Sequence, residues 1–301
     1  MTATVTLGAT IPIAQYANIQ PSFAVEGATL DEAMSNALAT MKRVWDSVAK
    51  TPLDIKAVDT QVEYRPSTAV DLTCWASGTT VQFDPVEHVY SPGEWLSGSA
   101  FSDKYKSKFA GQYVAGKMAA KHDVDADDIL AMWAVNAEAS SSFGTAVHAA
   151  LQLYGTYLET SRAVKAGSDE SALTKNPTLQ PIVKAFFAGR EDERAVYEAF
   201  VADPIKRHCG QVDRLLIEDD DGIWVEDFKT NTDMDKKETI KVPFKGVVES
   251  TKMGAYWLQL SFYAHILIRL GRNVKGLRIH HWTGSEWVTH EHDVVDISEV
   301  I

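Results

Sequence analysis

Two aspartates and a lysine, Asp213, Asp227 and Lys229, stand in the stretch CGQVDRLLIEDDDGIWVEDFKT, residues 209–230. Residues 211–217 and 223–229 have strand character and flank an acidic, glycine-containing connection, 218–222, which predicts a β-hairpin with a five-residue loop. A symmetric loop pairs Ile217 with Ile223, Leu215 with Val225 and Asp213 with Asp227. Strand side chains alternate faces, so Asp227 and Lys229 point the same way. Directly opposed residues lie roughly 4.5–5.5 Å apart at Cβ, which brings Asp213 to the same place. Opposed like charges destabilise a sheet unless they are neutralised. A hard divalent cation such as Mg²⁺ does this, using one or two carboxylates together with substrate phosphate oxygens. The lysine is then placed to orient or deprotonate an attacking water. A solvated acidic hairpin with its lysine paired to one aspartate fits the three residues equally well.

Two further stretches bear on that choice. Upstream, GTAVHAALQLY carries His148 early in a predicted helix, with Gln152 its i, i+4 neighbour. Downstream, MGAYWLQLSFYAHILIRL is the most apolar segment, and Gln259 and Tyr263 lie on it one turn apart. A helix apolar on nearly every side is buried against a sheet, where two polar side chains need polar partners. In order, the chain reads GxxxH, GxVD, DxK and QxxxY. Over residues 81–270 this resembles the PD-(D/E)XK nuclease superfamily, in particular the RecB-like branch that includes phage exonucleases of the lambda type.

The resemblance implies an α/β (α+β) core, a mixed central sheet containing the hairpin and flanked by the His148 and Gln259 helices. It implies Mg²⁺ or Mn²⁺ held by His148, Asp213 and Asp227 with the carbonyl of Phe228, and Lys229 acting on the nucleophile. Gln259 and Tyr263 would hold the DNA backbone near the metal, with Gln152 on the substrate side. Many relatives have an acidic residue where Gln152 stands, which leaves open whether one or two metals bind. A glutamate in the strand at 195–201 neighbours the metal in some relatives, making Glu198 a secondary candidate. His88 and Tyr90 match an H-x-Y element and are read as structural or as substrate contacts. The implied activity is hydrolysis at DNA ends, with double-stranded DNA the expected substrate, in recombination, repair or replication, and a phage origin would fit. A single-strand annealing protein is then the expected partner, and a ring-forming homo-oligomer is common among lambda-type relatives. A structure-specific endonuclease, a catalytically silent DNA-binding or inhibitor protein on the same scaffold, and an RNA-directed activity are the alternatives.

Composition narrows the field. With two cysteines, Cys74 and Cys209, the chain can build neither a disulfide framework nor the four-cysteine iron–sulfur cluster of some RecB-like nucleases. A net charge of −12 argues against coating long stretches of DNA. Lysines nevertheless cluster at 104, 106, 108, 117 and 121, and again at 236, 237, 241 and 245. No apolar run reaches the length of a membrane span, and the N-terminus lacks the pattern of a signal peptide. The expectation is a cytoplasmic protein, in the host cytoplasm if phage-encoded.

Residues 1–65 read as a small accessory β/α domain, with strands at 4–7, 11–16 and 21–25 and a helix from 29–31 to 48 ended by Thr51-Pro52. Residues 66–301 form the nuclease domain, opening on a linker at 66–80. Helices are predicted over 104–121, over 125–136 and from Gly144 onward, with a small-residue stretch at 137–142 between the last two. Residues 165–193 read as helical connecting structure. Residues 231–245 form a lysine-rich loop long enough to move. A final hairpin, 277–282 with 287–294, carries His280, His281, His290 and His292, which lack zinc-site spacing and are expected to face solvent.

Overall fold

The computed structural model describes residues 2–9, 11–14, 17–19, 21–48, 58–65, 69–163 and 173–301. Its strands are β1 (Thr2–Ala9), β2 (Ile11–Ala14), β3 (Ala17–Ile19), β4 (Ser22–Gly27), β5 (Val58–Arg65), β6 (Val70–Thr73), β7 (Thr80–Asp84), β8 (Val89–Ser91), β9 (Leu96–Ser97), β10 (Arg194–Asp203), β11 (His208–Ile217), β12 (Ile223–Lys229), β13 (Val274–Trp282) and β14 (Trp287–His292). Its helices are α1 (Leu30–Val48), α2 (Gly98–Tyr105), α3 (Gly111–His122), α4 (Ala126–Ala163), α5 (Leu179–Phe187) and α6 (Lys252–Arg269). The chain divides into two compact units, one of Met1–Asp71 with Gln82–Val89, the other of Leu72–Val81 with Tyr90–Ile301.

In the first unit β4, β1 and β5 form an antiparallel sheet in which Val5 stands opposite both Val25 and Val62. Thr29 caps α1, its hydroxyl accepting from the Glu32 amide at 3.2 Å. The buried stripe of α1 is Ala33, Ala37, Met41 and Trp45, with Leu30, Met34, Leu38 and Val44 half-buried beside it. Small Ala33 and Ala37 stand at one end of that stripe and large Met41 and Trp45 at the other, so the first half of the helix sits closest to the sheet. Strand β5 carries no expectation from sequence, and Thr51-Pro52 lies outside the described residues.

In the second unit the sheet order is β10-β11-β12-β13-β14, with β9 also pairing β11. The β11–β12 register is Ile217↔Ile223, Leu215↔Val225 and Arg214↔Glu226, where the ladder ends. At its other end β11 pairs in parallel with β9, through His208 and Cys209. Since β10 occupies one edge of β11 throughout, β12 and β9 share the other, and that edge forks around residues 210–213. Strand β13 runs parallel to β12. Its helical side is α6, whose Leu258, Phe262 and Ile266 pack with Leu215, Val225, Leu277 and Ile279. On the opposite side Phe186 of α5 meets Phe228 at 4.9 Å, with Val147, Leu151 and Tyr154 of α4 in the same cluster.

Several expected boundaries change. The helix predicted over 104–121 is two, α2 and α3, broken at 106–110 where Lys106 pairs with Ile240 and the Ser107 amide donates to Thr239. The helices on either side of 137–142 are one, the 38-residue α4. Alanine is the best helix former, serine costs little, and without proline a single glycine costs only about 1 kcal/mol. The predicted linker at 66–80 includes strand β6 and the start of β7. The lysine-rich loop is anchored by buried Met234, Ile240, Phe244 and, just beyond it, Val248. The closing hairpin is not solvent-facing at His280, which is 2% exposed because its ring lies against Phe186 of α5 and Phe228 of β12. Of residues 165–193, the described part folds α5 and the turn that leads to β10; residues 165–172 lie outside the described residues.

Candidate active site

The site forms at the fork in β11. Where the ladder stops, the Asp213 side chain takes over from the backbone: its Oδ2 accepts from the Phe228 amide at 2.8 Å. Asp227 and Lys229 follow on the same face of β12 and form an ion pair buried under α6. From α4, His148 reaches in, with Nδ1 3.4 Å from Asp213 Oδ2 and its ring edge-on to Phe228 at 5.8 Å. Strand β10 supplies Glu198, which lies between the pairs Tyr197↔Arg214 and Ala199↔Val212, opposite Asp213. Its φ of 49° is left-handed, a conformation that a non-glycine residue seldom adopts and that marks a local break in the strand.

Donor atoms of His148, Glu198 and Asp213 all lie within 4.8 Å of one another. The secondary candidate Glu198 thus joins the tightest group, while Asp227 lies against Lys229. Burial, then the charges of Asp213 and Asp227, push the Glu198 carboxyl up to about 7. Burial likewise pushes Asp227 up to about 6, opposed by Lys229 and reinforced by Asp213. Lys229 is held above its ordinary range by Asp227 and Asp213 against the opposing effect of burial. Three crowded carboxyls with one paired ammonium are short of positive charge, and a nitrogen with carboxylate oxygens is a donor set suited to a divalent cation. The residues present therefore fit a metal such as Mg²⁺ or Mn²⁺.

Gln259 donates to the Tyr263 hydroxyl at 3.2 Å, so each is the other's polar partner inside α6. Room for the Tyr263 ring comes from two glycines: a Cβ on Gly98 or Gly210 would fall 2.4 or 2.3 Å from it. Burial, with the nearby carboxylates, raises the Tyr263 phenol. Gln152 is half-buried one turn beyond His148. Tyr90 stacks on Phe200 at 6.0 Å, and His88 is exposed in the turn before β8. One neighbour escaped the sequence reading. The Lys229 ammonium sits 4.7 Å from the Tyr256 ring centroid. The signal was there, since Tyr256, Gln259 and Tyr263 follow i, i+3, i+7 spacing on one helix.

A cleft of 1180 Å³ opens from His148 and Lys229. Hydroxyls of Ser140, Thr145 and Thr230, the ring of Trp282 and the ammonium of Lys252 line it, and among the described residues no carboxylate does. In a chain of net charge −12 that is a marked local exception, suited to a polyanion. No described helix is long and apolar enough to cross a membrane.

No curated protein matches this chain. A family model described as the PD-(D/E)XK nuclease superfamily matches residues 126–282, more than half of the sequence. The match spans the His148 helix, the forked hairpin and all of the apolar helix with its following strand, the elements that assemble the acidic site at the end of its cleft. The chain belongs to the PD-(D/E)XK nuclease superfamily.

Proposed function

We propose that this protein is a metal-dependent DNA exonuclease acting at DNA ends in recombination, repair or replication in the cytoplasm. The observation that carries the reading is the contrast between a carboxylate cluster short of positive charge and the carboxylate-free, lysine-bearing cleft that leads to it. Asp213, His148 and Glu198 would hold the metal, with Asp227 and the Phe228 carbonyl beside them. Bound there, it would supply Lewis-acid polarisation of the phosphate and a more acidic water.

The chain's own residues do the rest. Asp227 fixes the Lys229 ammonium, and the Tyr256 ring holds it from the other side. Lys229 orients the nucleophile and offsets charge that develops on the phosphate. Lys252 and the cleft hydroxyls bind the strand's phosphates and exclude bulk water. Gln259 and Tyr263 position the backbone from α6. End-dependence is supported by the likeness of the GxxxH, GxVD, DxK and QxxxY series to RecB-like exonucleases. A phage recombination setting would add a single-strand annealing partner and a homo-oligomeric ring.

The test is digestion of end-labelled linear duplex and closed circular DNA with Mg²⁺, Mn²⁺ or EDTA, by wild type and Asp227→Ala. Metal-dependent loss of the linear substrate alone, abolished by the substitution, is expected. Defined cuts in the circle would replace the exonuclease with an endonuclease, and absence of cleavage with every metal would overturn the enzyme.

A further inference from the structure

Tyr113, Lys117 and Lys121 recur at every fourth position along α3 and form one stripe, and Phe109 stands two residues before the helix begins. The two rings are 66% and 64% exposed. Each has an ammonium on its face: Lys117 lies 4.5 Å from the centroid of Tyr113, and Lys236 lies 5.6 Å from that of Phe109. Phe109 also approaches Trp133 of α4, at 5.8 Å.

The stripe is continuous with the cleft. The Lys252 amide donates to the Lys236 carbonyl at 3.0 Å, and the Lys252 side chain lines the cleft. The Lys241 amide donates to the Tyr105 carbonyl at 2.8 Å, and its ammonium to the Lys104 carbonyl at 3.2 Å. The two lysine clusters, more than a hundred residues apart in sequence, are therefore one lysine-rich region, with Asp103, paired to Lys106 at 2.6 Å, and Glu238 set among them. Its far end is the turn between α3 and α4, where Asp123, Asp125, Asp127 and Asp128 reverse the charge.

Rings and ammonium groups together select an occupant. Duplex DNA keeps its base faces inside, so it could use the lysines but leave the rings in water. An apolar protein surface could use the rings, but it would have to desolvate the ammonium groups resting on them. A single nucleic-acid strand uses both, with bases stacked on the aromatics and phosphates beside the lysines. We infer that Phe109, Tyr113, Lys117 and Lys236 form a single-strand grip that leads a DNA strand into the cleft. This names the substrate class of the site and rests on the nuclease reading above.

Fluorescence anisotropy in EDTA, with a short labelled oligothymidylate and a blunt duplex of equal length, tests it without cleavage. The wild type should bind the single strand more tightly than the duplex. Phe109→Ala with Tyr113→Ala should weaken single-strand binding about tenfold or more per ring. Phe109→Trp with Tyr113→Trp, which keeps flat rings, should retain it and so separates stacking from folding. Undiminished single-strand affinity in the alanine pair, or equal affinity for duplex, would overturn the grip. So would a concentration-dependent dimer, seen by light scattering, that the alanine pair abolishes while DNA binding stays. Loss of the grip with intact metal-dependent digestion leaves the nuclease standing, whereas single-strand binding without any digestion removes the nuclease alone.

Discussion

The two faces of the β11–β12 hairpin treat the same chemistry in opposite ways. On the α6 side, Asp213, Asp227 and Lys229 leave negative charge in excess, and Asp227 is pushed up to about 6. One residue earlier on the other side, Glu226 is fully buried yet driven down to about 2: its burial is outweighed by Arg214 and His280. Arg214 is 1% exposed, pairs with Glu226, and reaches Glu193 at 2.6 Å and the Tyr197 hydroxyl at 3.1 Å. His280 Nε2 stands 3.2 Å and Arg278 Nη1 3.4 Å from the Glu226 carboxylate. Adjacent acids on one strand thus differ in their work. The charge-balanced face is closed by its own residues, and the unbalanced face carries negative charge that its one ammonium does not offset.

Breaking that contrast starts with catalysis. Lys229→Ala should lower metal-dependent cleavage by roughly 10²–10³-fold, the scale for losing one group that stabilises developing charge. DNA binding and the melting temperature should change little, because Asp227 can take up a proton in place of its partner. Full activity in a digestion assay would remove Lys229 from the mechanism. Glu226→Gln should do the reverse, destabilising the fold by roughly 3–5 kcal/mol, because buried Arg214 loses its buried partner and keeps only the half-exposed Glu193. Urea midpoints would read this, and the double change Arg214→Met with Glu226→Leu should recover most of the loss. An unchanged midpoint for Glu226→Gln would erase the distinction between the faces.

Proton linkage gives the smallest and most discriminating effect. Asp227 and Glu198 bind protons more tightly folded, at about 6 and 7, than at their ordinary 3.8 and 4.5. Metal-free protein should therefore gain stability as pH falls from 8 towards 5. Glu226 has the opposite sign: its contribution is complete above its ordinary 4.5 and is lost as pH falls towards 2. Thermal melts in EDTA should rise and then fall across that range, while Mg²⁺ should flatten the upper part. A flat profile from pH 8 to 5 without metal would mean that the carboxyl cluster carries no strain.

Local pattern made part of this legible. Period-two alternation and the five-residue connection specify the Ile217↔Ile223 and Leu215↔Val225 pairs, and so the face that Asp227 and Lys229 share. The partner of Glu226 was not legible in the same way, since Arg214 and His280 reach it through sheet neighbours set by long-range topology. Glu198 was visible only as a strand acid, because its left-handed backbone and its place opposite Asp213 depend on β10 docking. The continuity of α4 was missed because serine and glycine read as a break, although no local feature stops the helix there.

That continuity has a mechanical side. At 1.5 Å per residue α4 is a rod about 57 Å long. From Val147 onward it is clamped to the core by Leu151, Tyr154 and Leu158, whereas before Val147 Ile129 is its sole fully buried residue. It is a cantilever steadied near its tip, where Phe109 meets Trp133, and the bending moment is greatest where the less buried span meets the clamp. His148 occupies that point, so a load taken up along the outer half of α4 is delivered first to the histidine beside Asp213.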